Sequence, residues 1–212
     1  MRNFIGMNRR SVISILLFFK ILLIVMIVNH QLSPKPGAET LLETIHGRSS
    51  VRAYTPQQVS AQQVENLLRA AMAAPSSRNI QPWEFYVVSD PEILNALSQS
   101  LPYAAMAAGA PLAIVICGDT QKGQPNQEQQ MNWVMDCSAA SQNLLLAAHA
   151  MGLGAVWTGI YPYRERIETV RGALDIPPHL VPLNLIPVGY PLDPPAPKDK
   201  WDEKKVHYIG GP

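Results

Sequence analysis

The segment "GRSSVRAYT" at Gly47–Thr55 combines two arginines with two serines, directly after the short apolar stretch "LLETIH". Glycine often ends a helix in the left-handed conformation, so the chain is predicted to be helical before Gly47 and extended after it. Alternate residues of an extended segment face one side, which would bring Arg48, Ser50 and Arg52 together. Such a convergent set of donors suits an anion, although a run of this kind that stands alone is more often a solvated edge.

Two further polar clusters accompany this segment. "PSSRNIQPW" begins at Pro75, and "KDK" occupies Lys198–Lys200 near the end of the chain. Arginine forks, lysine charges and hydroxyls all bind phosphate, and the chain has neither Gly-x-Gly-x-x-Gly after a first strand nor a P-loop. A bound phosphate must therefore be held by side chains. A lysine-rich tail by itself is more often only a solvated surface.

Hydrophobic periodicity predicts strands that alternate with helices. "AQQVENLLRAAMAA" has apolar residues at helical spacing, and Asp90-Pro91 is typical of a helix start. "FYVV", "PLAIVICGD", "GAVWTG" and "VPLNLIPVGYP" are predicted as strands, and a long helix as running from about Gln130 to Met151. Alternation of this kind, taken alone, predicts a parallel doubly wound sheet.

The N-terminal region differs in composition from the remainder. Basic residues precede an apolar run from Val12 to Val28, which Lys20 interrupts, and a proline-containing linker follows. This order is typical of a cleaved export signal or of an uncleaved anchor, in which residues 11–29 would meet the membrane, and a buried core helix is the third alternative. Arg9 and Arg10 form either a twin-arginine signal or only a positive flank. We expect residues 1–38 to be a signal or anchor with its linker, residues 39–212 to form one domain, and that domain to lie on the extracytoplasmic side.

Composition excludes several classes of function. A formal net charge of +1 argues against a nucleic-acid surface. The two cysteines, Cys117 and Cys137, lack zinc spacing, so no metal site is expected; they are predicted to be buried thiols, with a disulfide between them as the alternative. The five histidines have no partner spacing that would support a catalytic role.

Four blocks in order give the chain a resemblance to a known family. They are "GRSSVRAYT", "AAPSSRNIQPWEFYVV", "DCSAASQNLLLAAHAMGLGAVWTGIYP", and "NLIPVGYP" with the lysine tail. From about Leu41 to Tyr208 the chain resembles the flavin-dependent nitroreductases. The resemblance implies an α+β, three-layer fold with a central mixed sheet flanked by helices, assembled as a domain-swapped type of homodimer.

The resemblance also implies one FMN per subunit, bound in a cleft between two subunits. Arg48, Ser49, Ser50 and Arg52, with Lys198 and Lys200, would hold the phosphate and ribityl chain, and Arg52 would lie near the N1/C2 carbonyl edge. Pro75, Ser76, Ser77 and Asn79 would reach the FMN of the partner subunit, whereas Gln81, Trp83, Asp136 and Ser138 are expected to be structural. Trp157, Thr158 and Gly159 would present backbone groups to the N5/O4 edge. No side chain is expected to be catalytic, because the flavin carries the chemistry.

The implied activity is transfer of hydride from NAD(P)H to the flavin, followed by reduction of a small acceptor such as a nitroaromatic or a quinone. Two alternatives remain open: a reductive dehalogenase of the same fold, and a non-catalytic flavin-binding or storage protein. The dehalogenase would need a charged lid, and the stretch "SQSLPYAAMAAGAP" at Ser98–Pro111 has no charged residue.

Overall fold

The computed structural model describes residue 20 and residues 38–123, 131–194 and 196–210. The chain divides into two compact units, Met1–Glu43 and Thr44–Pro212. The predicted signal or anchor segment at 11–29 lies outside the described residues, apart from Lys20. Within the parts of the chain that are described, no helix has the length and apolarity needed to cross a bilayer.

Five α-helices and five strands form the described part of the chain. The helices are α1 (Ala38–Gly47), α2 (Ala61–Met72), α3 (Pro91–Ser100), α4 (Asn132–Ala150) and α5 (Arg164–Leu174). The strands are β1 (Trp83–Val88), β2 (Leu112–Asp119), β3 (Gly154–Ala155), β4 (Thr158–Gly159) and β5 (Leu180–Gly189). Short 3-10 turns occur at Ser77–Asn79, Ala105–Gly109 and Glu203–Lys205.

The sheet has the order β1-β2-β5-β3, and β4 also pairs with β5. All of these pairings are antiparallel, so the parallel doubly wound sheet predicted from periodicity is wrong. The misleading feature is β2, an unbroken apolar run that is buried on both faces except at its last residue. Such runs are common in parallel sheets, but any central strand covered on both faces produces one. The one parallel contact among the described residues is an isolated bridge between Ser50 and Ala155.

Helices cover both faces of the sheet and complete the predicted three-layer α+β fold. On one face Ile114 and Ile116 of β2 belong to a core cluster with Leu67 of α2 and Leu144 of α4. The alternate residue Val115 belongs to the opposite cluster, with α3 and α5. Side chains alternate between the faces of a strand, so this single strand contributes to both cores.

The segment predicted as one short strand, "GAVWTG", instead forms two strands of two residues each. Both β3 and β4 pair with β5, at Val188–Gly189 and Asn184–Leu185 respectively. Val156 and Trp157 lie between them, outside the ladder. This interruption places Trp157 at the edge of the sheet with 37% of its surface exposed.

Candidate functional site

The first polar cluster is held against the sheet by the residue at its centre. The Val51 amide donates to the Ala155 carbonyl at 3.1 Å, and the Val51 side chain is only 4% exposed. Gly154 permits this close approach, because a Cβ at that position would lie 2.6 Å from the Val51 side chain. With Val51 directed inward, its neighbours Ser50 and Arg52 are left to line a cavity.

Tyr54 fixes the other end of the same segment. Its hydroxyl donates to the Val51 carbonyl at 2.8 Å and lies 3.2 Å from the Pro187 carbonyl oxygen of β5. Burial raises the pKa of Tyr54 above its usual value, and the charge of Arg52 offsets only part of that increase. The phenol therefore stays neutral and remains a hydrogen-bond donor.

Backbone pairing brings the C-terminal tail alongside this segment. The Thr55 amide donates to the Tyr190 carbonyl at 2.8 Å, and the Leu192 amide donates to the Ala53 carbonyl at 3.0 Å. The chain that leaves β5 is thus bound to the region just after the first cluster. This arrangement explains how lysines from the far end of the sequence reach the arginines near its beginning.

A cavity of about 320 Å³ lies where the first cluster and the C-terminal tail meet. Its lining consists of Arg48, Ser49, Ser50, Arg52, Ala196, Lys198 and Lys200. In residues 38–123, 131–194 and 196–210, the ion pairs that form involve other residues and none of these four cations. Four cationic groups without a carboxylate partner create a strongly positive site that suits a phosphate.

A second cavity, of about 430 Å³, shares Arg52 with the first. Apart from Arg52 its lining is mainly apolar and aromatic: Pro102, Tyr103, Ala105, Met106, Val156, Trp157, Thr158, Gly159 and Arg166. The Thr158 hydroxyl is buried and has no hydrogen-bond partner among the described residues. A buried polar atom without a partner is costly, but this hydroxyl oxygen is enclosed by protein and is not open to the cavity.

Arg166 was missed by the sequence analysis. Its Nη1 donates to the Gly159 carbonyl at 2.9 Å, and its guanidinium carbon lies 3.8 Å from the ring centroid of Tyr163. The sequence did contain a sign that Arg166 has a specific role. Arg166 occupies the first turn of α5, where the positive end of the helix dipole disfavours a cation.

The second polar cluster is built differently and carries backbone strain. Arg78, Asn79 and Gln81 all have positive φ, between 51° and 56°. The Ser77 amide donates to Asp136 Oδ1 at 2.9 Å, which confirms the structural role expected for Asp136. Non-glycine residues in this conformation cost roughly 1 kcal/mol or more each and tend to cluster at functional sites.

The second cluster does not join the first within one chain. Neither of the two cavities above includes Pro75, Ser76, Ser77 or Asn79 in its lining. Trp83 is packed in the core as expected, but the packing role expected for Gln81 is wrong, because that residue is exposed. A single chain therefore brings together the first cluster, the lysine tail and the β4 edge, and leaves the second cluster apart.

The two thiols fit the prediction of buried, structural cysteines. Both are free and buried, and the Cys137 thiol lies 3.6 Å from the Cys117 carbonyl oxygen. Burial raises the pKa of Cys117 to about 12 and also raises the pKa of Cys137. Within the described part of the chain there is no group of three or more metal-ligating side chains.

The chain has a three-layer α+β fold with a cationic cavity beside an aromatic one, and the family model described as "Nitroreductase family" matches its residues 45–102 and 98–190. The chain therefore belongs to the nitroreductase family.

Similar proteins span most of this chain. A protein from Methanothermobacter thermautotrophicus, named as an NADH dehydrogenase/NAD(P)H nitroreductase, is 42% identical over 167 residues, which are 79% of this chain and 85% of that protein. The oxygen-insensitive NADPH nitroreductase of Salmonella typhimurium is 30% identical over 175 residues, covering 78% of this chain and 71% of that protein.

Solved structures share the fold as well. An NADH dehydrogenase/NAD(P)H nitroreductase from Parabacteroides distasonis is 50% identical, with a TM-score of 0.76 over 81% of this chain and 99% of that one. A nitroreductase from Desulfovibrio desulfuricans in complex with FMN is 30% identical, with a TM-score of 0.69 over 81% of this chain and 98% of that one.

Proposed function

We propose that this protein is an FMN-dependent oxidoreductase that takes hydride from NAD(P)H and reduces a small acceptor, such as a quinone or a nitroaromatic compound. With a quinone, one NAD(P)H and one proton yield NAD(P)⁺ and the hydroquinone. The carrying observation is a pair of adjoining cavities, together called the groove, of which one is cationic and the other mainly apolar and aromatic. Its cationic end and its aromatic end meet at Arg52.

The residues of the cationic end fit the phosphate of FMN. Arg48, Lys198 and Lys200 supply charge, and the Ser49 and Ser50 hydroxyls are donors for phosphate or ribityl oxygens. Because no carboxylate among the described residues pairs with these cations, binding an anion there requires no existing ion pair to be broken.

The residues of the aromatic end fit the flavin ring. When bound, FMN would supply the capacity to accept a hydride and pass electrons onward, and the chain supplies position and field. The Arg52 cation would stabilise negative charge on the pyrimidine side of the ring. The backbone of Trp157, Thr158 and Gly159 would face its N5/O4 edge.

The second cluster supports a homodimer in which each FMN contacts both subunits. Pro75, Ser76, Ser77 and Asn79 do not line the groove of their own chain, although Asn79 and its neighbours Arg78 and Gln81 have the positive φ angles that often mark functional sites. On α4, Met135 is 62% exposed, and the neighbouring Ser138 and Ala139 are only partly buried. Small residues on a helix face permit a second copy to pack closely.

Names and contacts favour this enzyme over a dehalogenase, and flavin reduction by NAD(P)H distinguishes it from a storage protein. NAD(P)H occurs in the names of similar proteins, which supports it as the electron donor here. A dehalogenase acting on an amino acid would need an acid to pair with the ammonium group, and this chain's lining of the aromatic cavity has two arginines and no carboxylate. A storage protein would bind flavin without reducing it.

We also propose that residues 11–29 direct the protein to a membrane or export route, with the domain on the extracytoplasmic side. The support is the basic, apolar and proline-containing order of the N-terminal sequence. Cell fractionation with protease protection tests this proposal. Full protection of the domain in right-side-out cells after the outer envelope is opened would contradict it.

Flavin content and flavin reduction test the enzymatic proposal. The purified protein is expected to carry FMN, and its visible absorption band should bleach on anaerobic addition of NADH or NADPH and return when a quinone is added. A flavin-loaded protein that neither nucleotide reduces would favour storage. A colourless protein that does not take up added FMN would contradict the proposal.

A further inference from the structure

Arg166 is a cation whose position is fixed by its neighbours but whose charge is not paired with an acid among the described residues. One guanidinium nitrogen donates to the Gly159 carbonyl, and the group lies over the Tyr163 ring. No ion pair formed within the described ranges includes it. A carbonyl and a ring face hold the group in place, but neither neutralises it.

The cavity that Arg166 lines has positively charged residues in its lining and no acidic residue to balance them. Its ten lining residues include Arg52 and Arg166 and no acid, and the rest is mainly apolar or aromatic. In the proposed function Arg52 faces the flavin ring. Arg166 is then the remaining cation available to a second molecule that enters the cavity.

We infer that the preferred acceptors are planar aromatic compounds that carry an anionic substituent, and that Arg166 is the residue that selects for it. This inference rests on the proposed function, since it concerns the acceptor of the same site. Tyr103, Met106 and Trp157 would pack against the planar part of the acceptor, and the Arg166 guanidinium would bind its carboxylate or sulfonate. Arginine suits such groups because its paired N–H donors match the two oxygens of a carboxylate.

A matched pair of acceptors tests the inference. The kcat/KM values for 4-nitrobenzoate and for its neutral analogue 4-nitrobenzamide are measured with the FMN-loaded, full-length protein, and their ratio is compared between variants. Arg166→Gln is expected to lower the carboxylate-to-amide ratio by about tenfold or more, as for loss of a charge-assisted bond. Arg166→Lys should recover part of the ratio. Arg164→Gln removes a charge from the same helix at a residue that does not line the cavity, and should change the ratio by less than about twofold.

The possible outcomes test the assignment of Arg166 and the proposed function separately. Turnover of both acceptors with a ratio that Arg166→Gln leaves unchanged overturns the inference and leaves the proposed function intact. A tenfold rise in the KM for NADH or NADPH, without a change in the ratio, would assign the anion to the donor's phosphates and overturn the acceptor assignment. Failure of NADH and NADPH to support reduction of any acceptor overturns the proposed function and this inference together.

Discussion

The substitution Arg48→Ala tests the contribution of the cationic end of the groove separately from that of the rest of the site. Arg48 is half-buried and lines the cavity in which the first cluster meets the C-terminal tail. Since the ion pairs among the described residues do not include it, truncation leaves no acid unpaired. We therefore expect its effect to appear in ligand binding and not in folding.

The magnitude follows from the contact that is lost. A hydrogen bond to a charged group contributes about 1–3 kcal/mol, and a factor of ten corresponds to about 1.4 kcal/mol. The Kd for FMN should therefore rise roughly 5- to 150-fold in Arg48→Ala. Lys198 and Lys200 remain in place, so phosphate binding is weakened but not abolished.

Two ligands separate the phosphate contribution from the ring contribution. The Kd values of the apoprotein for FMN and for riboflavin, which lacks the phosphate, are measured by quenching of flavin fluorescence. Arg48→Ala should weaken FMN binding and leave riboflavin binding within about twofold, and the exposed Arg69→Ala should change neither. Equal weakening of both ligands, or no weakening of either, would refute the assignment of Arg48 to the phosphate.

Three further predictions concern the ring, the packing and the thiols. Arg52→Ala should slow flavin reduction in stopped-flow experiments by a larger factor than it weakens FMN binding, because its charge acts on the reduced ring; an unchanged rate would contradict this. Gly154→Ala should lower the free energy of unfolding by about 1–3 kcal/mol, because the added Cβ clashes with Val51. Gly172→Ala should raise the free energy of unfolding by about 0.5–1 kcal/mol, because its Cβ meets nothing within 4 Å. Urea denaturation that ranks the two variants in the opposite order would be inconsistent with this packing. Burial raises the pKa of Cys117 from 9.0 to about 12, so this thiol stays protonated in the folded state at a pH where it ionises in the unfolded chain. The free energy of unfolding should therefore fall as the pH rises from about 9 towards 12. Native protein at pH 8 should also resist alkylation of Cys117, and rapid labelling without unfolding would exclude the buried position.

Local signals in the sequence were sufficient for most elements. The Asp90 side chain accepts from the Glu92 amide at 2.8 Å at the start of α3, as the Asp-Pro pair predicts. α1 ends at Gly47 and the first cluster follows as non-helical chain, although Gly47 is not among the glycines with positive φ, so the expected left-handed cap is absent there. These features depend on neighbours within a few residues, so one sequence contains the information needed to predict them.

Sheet direction could not be predicted in the same way. The pairing of β2 with β1 and β5 depends on contacts between residues far apart in sequence, and an apolar run such as β2 has the same appearance in either direction. Periodicity failed here, and the family resemblance supplied the three-layer fold.

The candidate site could likewise be predicted from the sequence only in part. Arg48 and Lys200 could be suggested by residue type, but only the backbone pairing of Leu192 with Ala53 explains why the tail reaches the first cluster. Arg166 escaped notice because an arginine on a polar helix face is usually a solvated residue. Its importance depends on the Gly159 carbonyl that it contacts, and that contact is visible only in three dimensions.

The most direct test of the account asks whether each FMN is held by two subunits. Arg48→Ala combined with Lys198→Ala and Lys200→Ala disables the first cluster, and Ser76→Ala with Asn79→Ala disables the second; both homodimers should purify with little flavin. Differently tagged copies of the two variants are then co-expressed, and the heterodimer is isolated through both tags. If the clusters act across the interface, one site receives both defects and the other receives none, so the heterodimer should carry one FMN. A heterodimer that carries no more flavin than the two homodimers would contradict the account.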